Sequence, residues 1–258
     1  MERKRCSDQL GHILEYNFPP QRIVSLVPSQ TELLFDLGVD DRIIGITKFC
    51  VHPEEWHKSK TKVGGTKNFN LEDIDKLKPD LIIGNKEEND EERIKLLSEK
   101  FPVWMSDITD WESAIQMIEQ VGDLVAETSR ATALKSEIED QFKKVKQFQP
   151  RRTLYFIWKN PWMTAGKNTF IDSMLSKIGL ANCVGLERYP NLSAEEIKKL
   201  SPEIVLLSSE PYPFKEKHVQ ELQLILPHSK ILLVDGEMFS WYGSRLLKAP
   251  GYFSSLNL

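Results

Sequence analysis

The chain predicts an α/β protein with two similar parallel-sheet lobes, joined by one long helix, and a ligand cleft between the lobes. Three observations predict it. The segment Asn70-Leu71-Glu72-Asp73-Ile74-Asp75-Lys76-Leu77-Lys78-Pro79-Asp80-Leu81-Ile82-Ile83 returns as Ser193-Ala194-Glu195-Glu196-Ile197-Lys198-Lys199-Leu200-Ser201-Pro202-Glu203-Ile204-Val205-Leu206, and Leu77 and Leu200 stand 123 residues apart in a chain of 258. A unit repeated at half-length implies two lobes. Short apolar runs alternate with helical segments, the pattern of parallel strands covered on both faces. Asp110 to Lys146 carries no strand signal and separates the two alternating halves. The expected domains are residues 1–109, a connecting region 110–149, and residues 150–258.

Each element has its local reason. Arg22 to Val27 is an apolar strand entered from Pro19-Pro20 and stopped by Pro28. Ser29 or Thr31 caps the next helix, whose apolar face is Leu33, Leu34 and Leu37 and whose end is Gly38. Arg42 to Ile46 is a strand. Asn70 caps a helix to Lys76, and Leu81-Ile82-Ile83 is a strand. Glu91 to Glu99 is helical, and Val103-Trp104-Met105 is a strand. In the middle, Gly122 ends a first helix. A second runs from about Glu127 to Lys146 with the stripe Ala131, Leu134, Ile138, Phe142 and Val145. At 1.5 Å per residue it spans roughly 30 Å and connects the lobes. Thr153 to Trp158 is a strand, Thr169 to Lys177 a helix ending at Gly179, Ile204 to Leu207 and Ile231 to Val234 strands. The tail from Ser244 returns as a helix cut by Pro250-Gly251.

Composition narrows the function. Hydrophobic content of 40% and charged content of 28% are those of a globular protein, and a net charge of −4 argues against nucleic acid, which selects a basic face. Arg3-Lys4-Arg5 reads as a solvated N-terminus. No window is apolar for the roughly 18 residues that span a membrane. No apolar h-region follows Met1 to Arg5, so the expectation is a cytoplasmic chain if Met1 is the native start. Cys6, Cys50 and Cys183 are too few and too dispersed for a disulfide framework or a zinc finger. There is no GxSxG, HExxH, P-loop or GxGxxG, and the expectation is a protein that is not an enzyme. Cys50 and His52 are weak metal candidates, and loop histidines are the commoner explanation.

Ligands of parallel sheets sit outside the carboxyl ends of the strands. Those ends carry Pro28-Ser29-Gln30, Lys48 to His52, Asn85 to Asn89, Trp158 to Met163 and Gly236 to Tyr242. Aromatic and polar groups mixed in this way suit a large flat ligand with polar edges. Trp162 and Trp241 offer ring contact, and Lys86 a polar one. Glu72 and Glu195 occupy matching places in the repeats. Each is a favourable first-turn charge, and together they form two symmetric acidic points for a basic partner.

At these residues the chain resembles the class III periplasmic-type substrate-binding proteins of ABC importers, the group serving cobalamin, iron-siderophores and haem. The resemblance is carried by Asp8-Gln9-Leu10-Gly11, Pro20 to Glu32, Leu37-Gly38, Gly45-Ile46, Asn70-Leu71-Glu72, Leu77 to Ile82 and Thr164 to Lys167, and it is strongest to the cobalamin-binding branch. It implies two α/β lobes on one rigid helix that enclose a transported ligand, a corrinoid or an iron chelate, with no cofactor of the protein's own. By position it implies Phe49, Thr66, Asn85, Met163, Tyr189, Glu237 and Arg245 as ligand-facing. Phe49 and Tyr189 are aromatic as in the cobalamin branch, whereas Thr66, Asn85 and Met163 are not, so another corrinoid, a haem or an iron chelate stays open. It further implies an ABC permease docked through Glu72 and Glu195, a monomer, and a periplasmic or cell-surface location. The alternatives are a bare metal-ion receptor using His52, Cys50, Glu87 or Glu237, and a cytosolic tetrapyrrole chelatase.

Overall fold

The computed structural model describes residues 2–258; Met1, where the expected basic N-terminal stretch begins, lies outside the described residues. The chain divides into two compact units. One takes in the chain up to Ile108, Glu112–Glu139 and Tyr242–Arg245; the other takes in Thr109–Trp111, Asp140–Trp241 and Leu246–Leu258.

The N-terminal unit starts with a hairpin that the sequence reading missed. Strands β1 (Glu2–Ser7) and β2 (Ile13–Phe18) pair antiparallel, Lys4 opposite Tyr16 and Arg5 opposite Glu15. The basic run is therefore the outer strand of a ribbon. Lys4 Nζ lies 3.5 Å from the centre of the Phe18 ring. The turn is held by Asp8, whose carboxylate accepts from the backbone N–H of Leu10 and of His12. Leu14 and Tyr16 alternate inward and anchor the ribbon.

The unit's main sheet follows. Its elements are β3 (Ile23–Ser25), α1 (Pro28–Asp36), β4 (Ile43–Ile46), α2 (Glu54–Ser59), β5 (Thr61–Lys62), α3 (Leu71–Leu77), β6 (Leu81–Asn85), α4 (Glu91–Ser98) and β7 (Val103–Ser106). The strand order is β5-β4-β3-β6-β7, parallel throughout. β3 and β6 are buried on both faces, which explains their unbroken apolar runs. Helix α1 departs from expectation at its start. Pro28 occupies its first turn, where a missing N–H costs nothing, and no side chain caps it; Ser29 and Thr31 lie inside the helix.

The middle of the chain holds α5 (Trp111–Leu124) and α6 (Thr128–Lys143). Gly122 lies within α5 rather than ending it. A Cβ there would stand 2.2 Å from the Ala131 methyl, so glycine lets the two helices touch. The second helix has 16 residues, about 24 Å, shorter than the span read from its stripe.

The C-terminal unit contains β8 (Arg152–Trp158), β9 (Trp162–Thr164), α7 (Phe170–Lys177), β10 (Ala181–Asn182), β11 (Asn191–Leu192), α8 (Ala194–Leu200), β12 (Ile204–Ser208), α9 (Glu216–Ile225), β13 (Lys230–Val234), α10 (Glu237–Ser240) and α11 (Ala249–Ser255). The sheet runs β11-β9-β8-β12-β13 with β10 beside β8. It is mixed: β9 is antiparallel to β8, and β11 to β9. The expected loop Trp158 to Met163 is in fact the turn and start of a β8–β9 hairpin. Pro250 sits at the start of α11 rather than cutting it, a position where proline is tolerated.

The repeat is a structural one. Helices α3 and α8 have seven residues each, begin on the side-chain caps Asn70 and Ser193, and end on left-handed residues, Lys78 (φ 45°) and Ser201 (φ 44°). Asp80 accepts from the backbone N–H of Gln21 and Arg22, while the Arg22 guanidinium donates to the Leu77 carbonyl. The second copy repeats the arrangement. Glu203 accepts from Arg152 N at 2.9 Å, and the Arg152 guanidinium donates to the Leu200 carbonyl. The acid after each proline thus clamps one central strand to its neighbour in the sheet, β3 to β6 and β8 to β12.

Candidate functional site

In the N-terminal unit the carboxyl ends of the strands carry a polar network under an exposed aromatic. Asn85 ends β6 and is 2% exposed. Its amide donates to Ser106 Oγ at 2.9 Å, and its Oδ1 accepts from the backbone N–H of Glu87 and Glu88. Asn89, equally buried, accepts from Asn85 N at 2.8 Å and donates to the Thr66 and Leu26 carbonyls. Gln30 Nε2 donates to Ser106 Oγ at 2.6 Å. These bonds fasten the loops after β3, β5, β6 and β7 into one rim. Phe49 projects from it, 51% exposed, with its ring edge against Gly65 and the Lys48 ammonium 5.0 Å from its centre. Half-buried Thr66 follows Gly65 beside this ring.

Of the residues expected to face a ligand, the structure brings Phe49 and Thr66 together and connects Asn85 to them through Asn89. Asn85 spends its side chain inside the unit, so its direct service is to shape the loop. Lys86 is exposed and ion-paired with Asp107 at 2.7 Å. It also borders a groove of about 850 Å³ walled by the hairpin, α4 and β7. Arg245 belongs to this unit. Its Nε donates to Glu32 Oε2 at 2.8 Å, with both side chains nearly buried.

Cys50 is fully buried, with Thr31 and Thr47 hydroxyls 3.1 and 3.2 Å from its sulfur. Burial pushes its thiol up, away from the thiolate a metal would need. Among the described residues no three His, Cys, Asp or Glu side chains are placed to hold a metal ion.

In the C-terminal unit the corresponding rim is aromatic and acidic. Trp158, 41% exposed, meets Tyr212 edge-on at 5.5 Å; Tyr212 meets Phe214 at 4.8 Å; and Phe214 stacks on Trp162 at 6.1 Å with planes 4° apart. Trp162 is half-buried under Lys159, and Met163 follows it in β9, paired to Asn191. Tyr189 is half-buried, with the Arg188 guanidinium 5.8 Å from its ring centre. Glu237 begins α10 and is half-buried, while Trp241, just after that helix, is nearly buried. Trp241 Nε1 and Ser240 Oγ both donate to Glu210 Oε1, at 2.9 and 2.8 Å. Burial raises the Glu210 carboxyl, the hydroxyl of Ser240 pulls it back, and the charges of Glu237 and Asp235 add to the rise.

Glu210, Tyr212, Phe214 and His218 escaped the sequence reading. The signal was the run Pro211-Tyr212-Pro213-Phe214 after a strand, an aromatic turn at a carboxyl end.

Glu72 and Glu195 are both exposed, each second in a seven-residue helix of matched caps.

Two α/β units with aromatic and polar rims at the carboxyl ends of their strands are a binding architecture, and comparison with known proteins gives it a family. The profile of the periplasmic binding proteins matches residues 23–224, and the chain belongs to that family, the substrate-binding proteins of ABC transporters. It is 28% identical over 248 residues to YvrC of Bacillus subtilis (strain 168), an uncharacterized ABC transporter substrate-binding lipoprotein, covering 89% of this chain and 77% of the relative. It is 26% identical over 199 residues to the vitamin B12-binding protein of Yersinia pestis (strain Pestoides F), covering 73% and 69%. The fold matches that of the siderophore binding protein BauB, solved with two molecules of acinetobactin and ferric iron, with a TM-score of 0.80 at 20% identity over 100% of both chains. No described helix is long and apolar enough to cross a membrane.

Proposed function

We propose that the chain is the binding component of an ABC importer for a bulky metal-chelate cofactor, a corrinoid in the first instance. The observation that carries this reading is Phe49. A half-exposed ring on a rim fastened by buried hydrogen bonds is a stacking platform that costs little rearrangement to use. The relationship to a vitamin B12-binding protein supports a corrinoid. In this reading Phe49, Trp162, Trp241, Met163 and Tyr189 give apolar contact, and Thr66, Lys86, Glu237 and Arg245 orient polar edges. Asn85 shapes its loop. The protein performs no chemistry on the ligand and works as a monomer outside the cytoplasmic face of the membrane. The exposed Glu72 and Glu195 dock it on arginine or lysine residues of the permease.

A second reading, an iron-siderophore or haem receptor, is favoured by the Lys48 ammonium at the Phe49 ring, which suits an anionic chelate. A bare metal-ion receptor and a chelatase lack a convergent ligand set among the described residues. Isothermal titration with cyanocobalamin, dicyanocobinamide, haem and ferric siderophores decides. Micromolar or tighter binding of a corrinoid, weakened at least tenfold by Phe49→Ala, is expected. No binding of any of the four overturns the proposal, and binding of haem or siderophore alone transfers it to the second reading.

A further inference from the structure

His218 is 2% exposed and lies beneath the aromatic rim of the C-terminal unit. Its Nδ1 accepts the backbone N–H of Lys215 at 2.9 Å. That bond fixes the tautomer: Nε2 carries the hydrogen and faces the Tyr212 hydroxyl at 3.3 Å. The ring also meets Tyr212 and Phe214, each at 5.4 Å between centres. Tyr212 in turn supports the exposed Trp158.

We infer that His218 is a positioning residue that holds Tyr212, and through it Trp158, at the carboxyl edge of the sheet, and that on gaining a proton at Nδ1 the ring is driven off the Lys215 N–H and carries Tyr212 with it. A protonated imidazole has two donors and no acceptor, so the bond from Lys215 N is lost and two N–H groups oppose each other. The charged groups around the ring are Lys159 from the β8–β9 hairpin and Lys215, Lys217 and Glu221 of α9 and its cap. Three cations against one anion add to the cost of a buried imidazolium, and Glu221 is already ion-paired with Lys159. Burial first, then these lysines, keep the ring neutral below its ordinary range. The ring therefore stays an acceptor at neutral pH and loses that role in acid.

The inference adds to the proposed function the residue that sets the aromatic rim of the C-terminal unit, and its test needs no ligand. The emission of Trp158, taken as the difference between the protein and its Trp158→Phe variant, is followed from pH 8 to pH 4.5 beside the imidazole resonance of His218. One shared midpoint below about 6.5 is expected. His218→Gln keeps an acceptor at this helix position without titrating; its Trp158 emission should be flat over the same range. Separate midpoints, an unchanging emission in the parent, or an acid transition that persists in His218→Gln each overturn the inference. If none of the cofactors binds, the functional reading fails while these curves still decide the role of His218.

Discussion

Single side chains set the two rims and the clamps behind them. Asp80 accepts two backbone N–H groups at 2.8 and 2.7 Å. Asp80→Ala leaves both without that acceptor and should cost about 2 kcal/mol, read by urea unfolding; a loss under about 0.5 kcal/mol contradicts the clamp. Glu210 makes a pH prediction. Its carboxyl is raised on folding, so the folded state holds its proton more tightly than the unfolded chain. The stabilisation is complete below the ordinary carboxylate range and is lost as pH rises through the raised value. Glu210→Gln retains an acceptor for Ser240 and Trp241 without the charge. It should melt higher than the parent at pH 8, and the difference should close as pH falls toward 4. Parallel melting curves at both pH values contradict this. Phe49 was expected at a strand's carboxyl end, and the resemblance made it ligand-facing; the structure shows its ring half exposed there. Asn85 was expected to face a ligand, and nothing in the chain says that Ser106 and two loop N–H groups claim its side chain. The role of Glu210 depends on Trp241, 31 residues away, and only folding reveals it.

At the scale of elements, the parallel strands and the capped helix α3 were legible because their signals are local: Asn70 caps the helix it was expected to cap, and Ser193 does the same in the second copy. The N-terminal hairpin was not. Three consecutive basic residues look like a solvated end, and only pairing with Glu15, Tyr16 and Asn17 makes them a strand. Gly122 shows the same limit. A glycine inside a helix reads as a stop until its neighbour is known, and here the neighbour is Ala131 of α6. Gly122→Ala gains helix propensity of up to about 1 kcal/mol but drives one methyl into another. The clash should win, with a net loss of about 1–2 kcal/mol in thermal or urea unfolding. Adding Ala131→Gly should restore most of it. A stabilised Gly122→Ala protein, or no rescue, rules out contact as the reason for the glycine.

At the scale of the whole molecule, the repeat was the most legible feature, and the structure adds what it is made of: matched caps, matched left-handed ends and matched Arg–acid clamps. The mixed character of the second sheet was hidden because β9 and β11 are three and two residues long, too short to carry a period. The repeat also frames the docking proposal. Glu72→Gln with Glu195→Gln should leave ligand affinity unchanged and cost at most about 1 kcal/mol in unfolding, from the two lost first-turn charges, while reducing stimulation of the permease's ATPase in vesicles at least tenfold, with each single change intermediate. Full stimulation by the double variant ends that proposal. The left-handed ends have a practical consequence. Lys78 and Ser201 each carry a side chain where glycine would sit without penalty, at the rim of each sheet opposite the one that holds Phe49 or Trp158. Lys78→Gly and Ser201→Gly should each stabilise the fold, by about 1 kcal/mol of relieved torsion less the freedom glycine adds to the unfolded chain, read as a higher melting temperature. Thermal hardening of such a receptor can therefore be engineered twice over from one motif, by edits that leave the recognition chemistry alone.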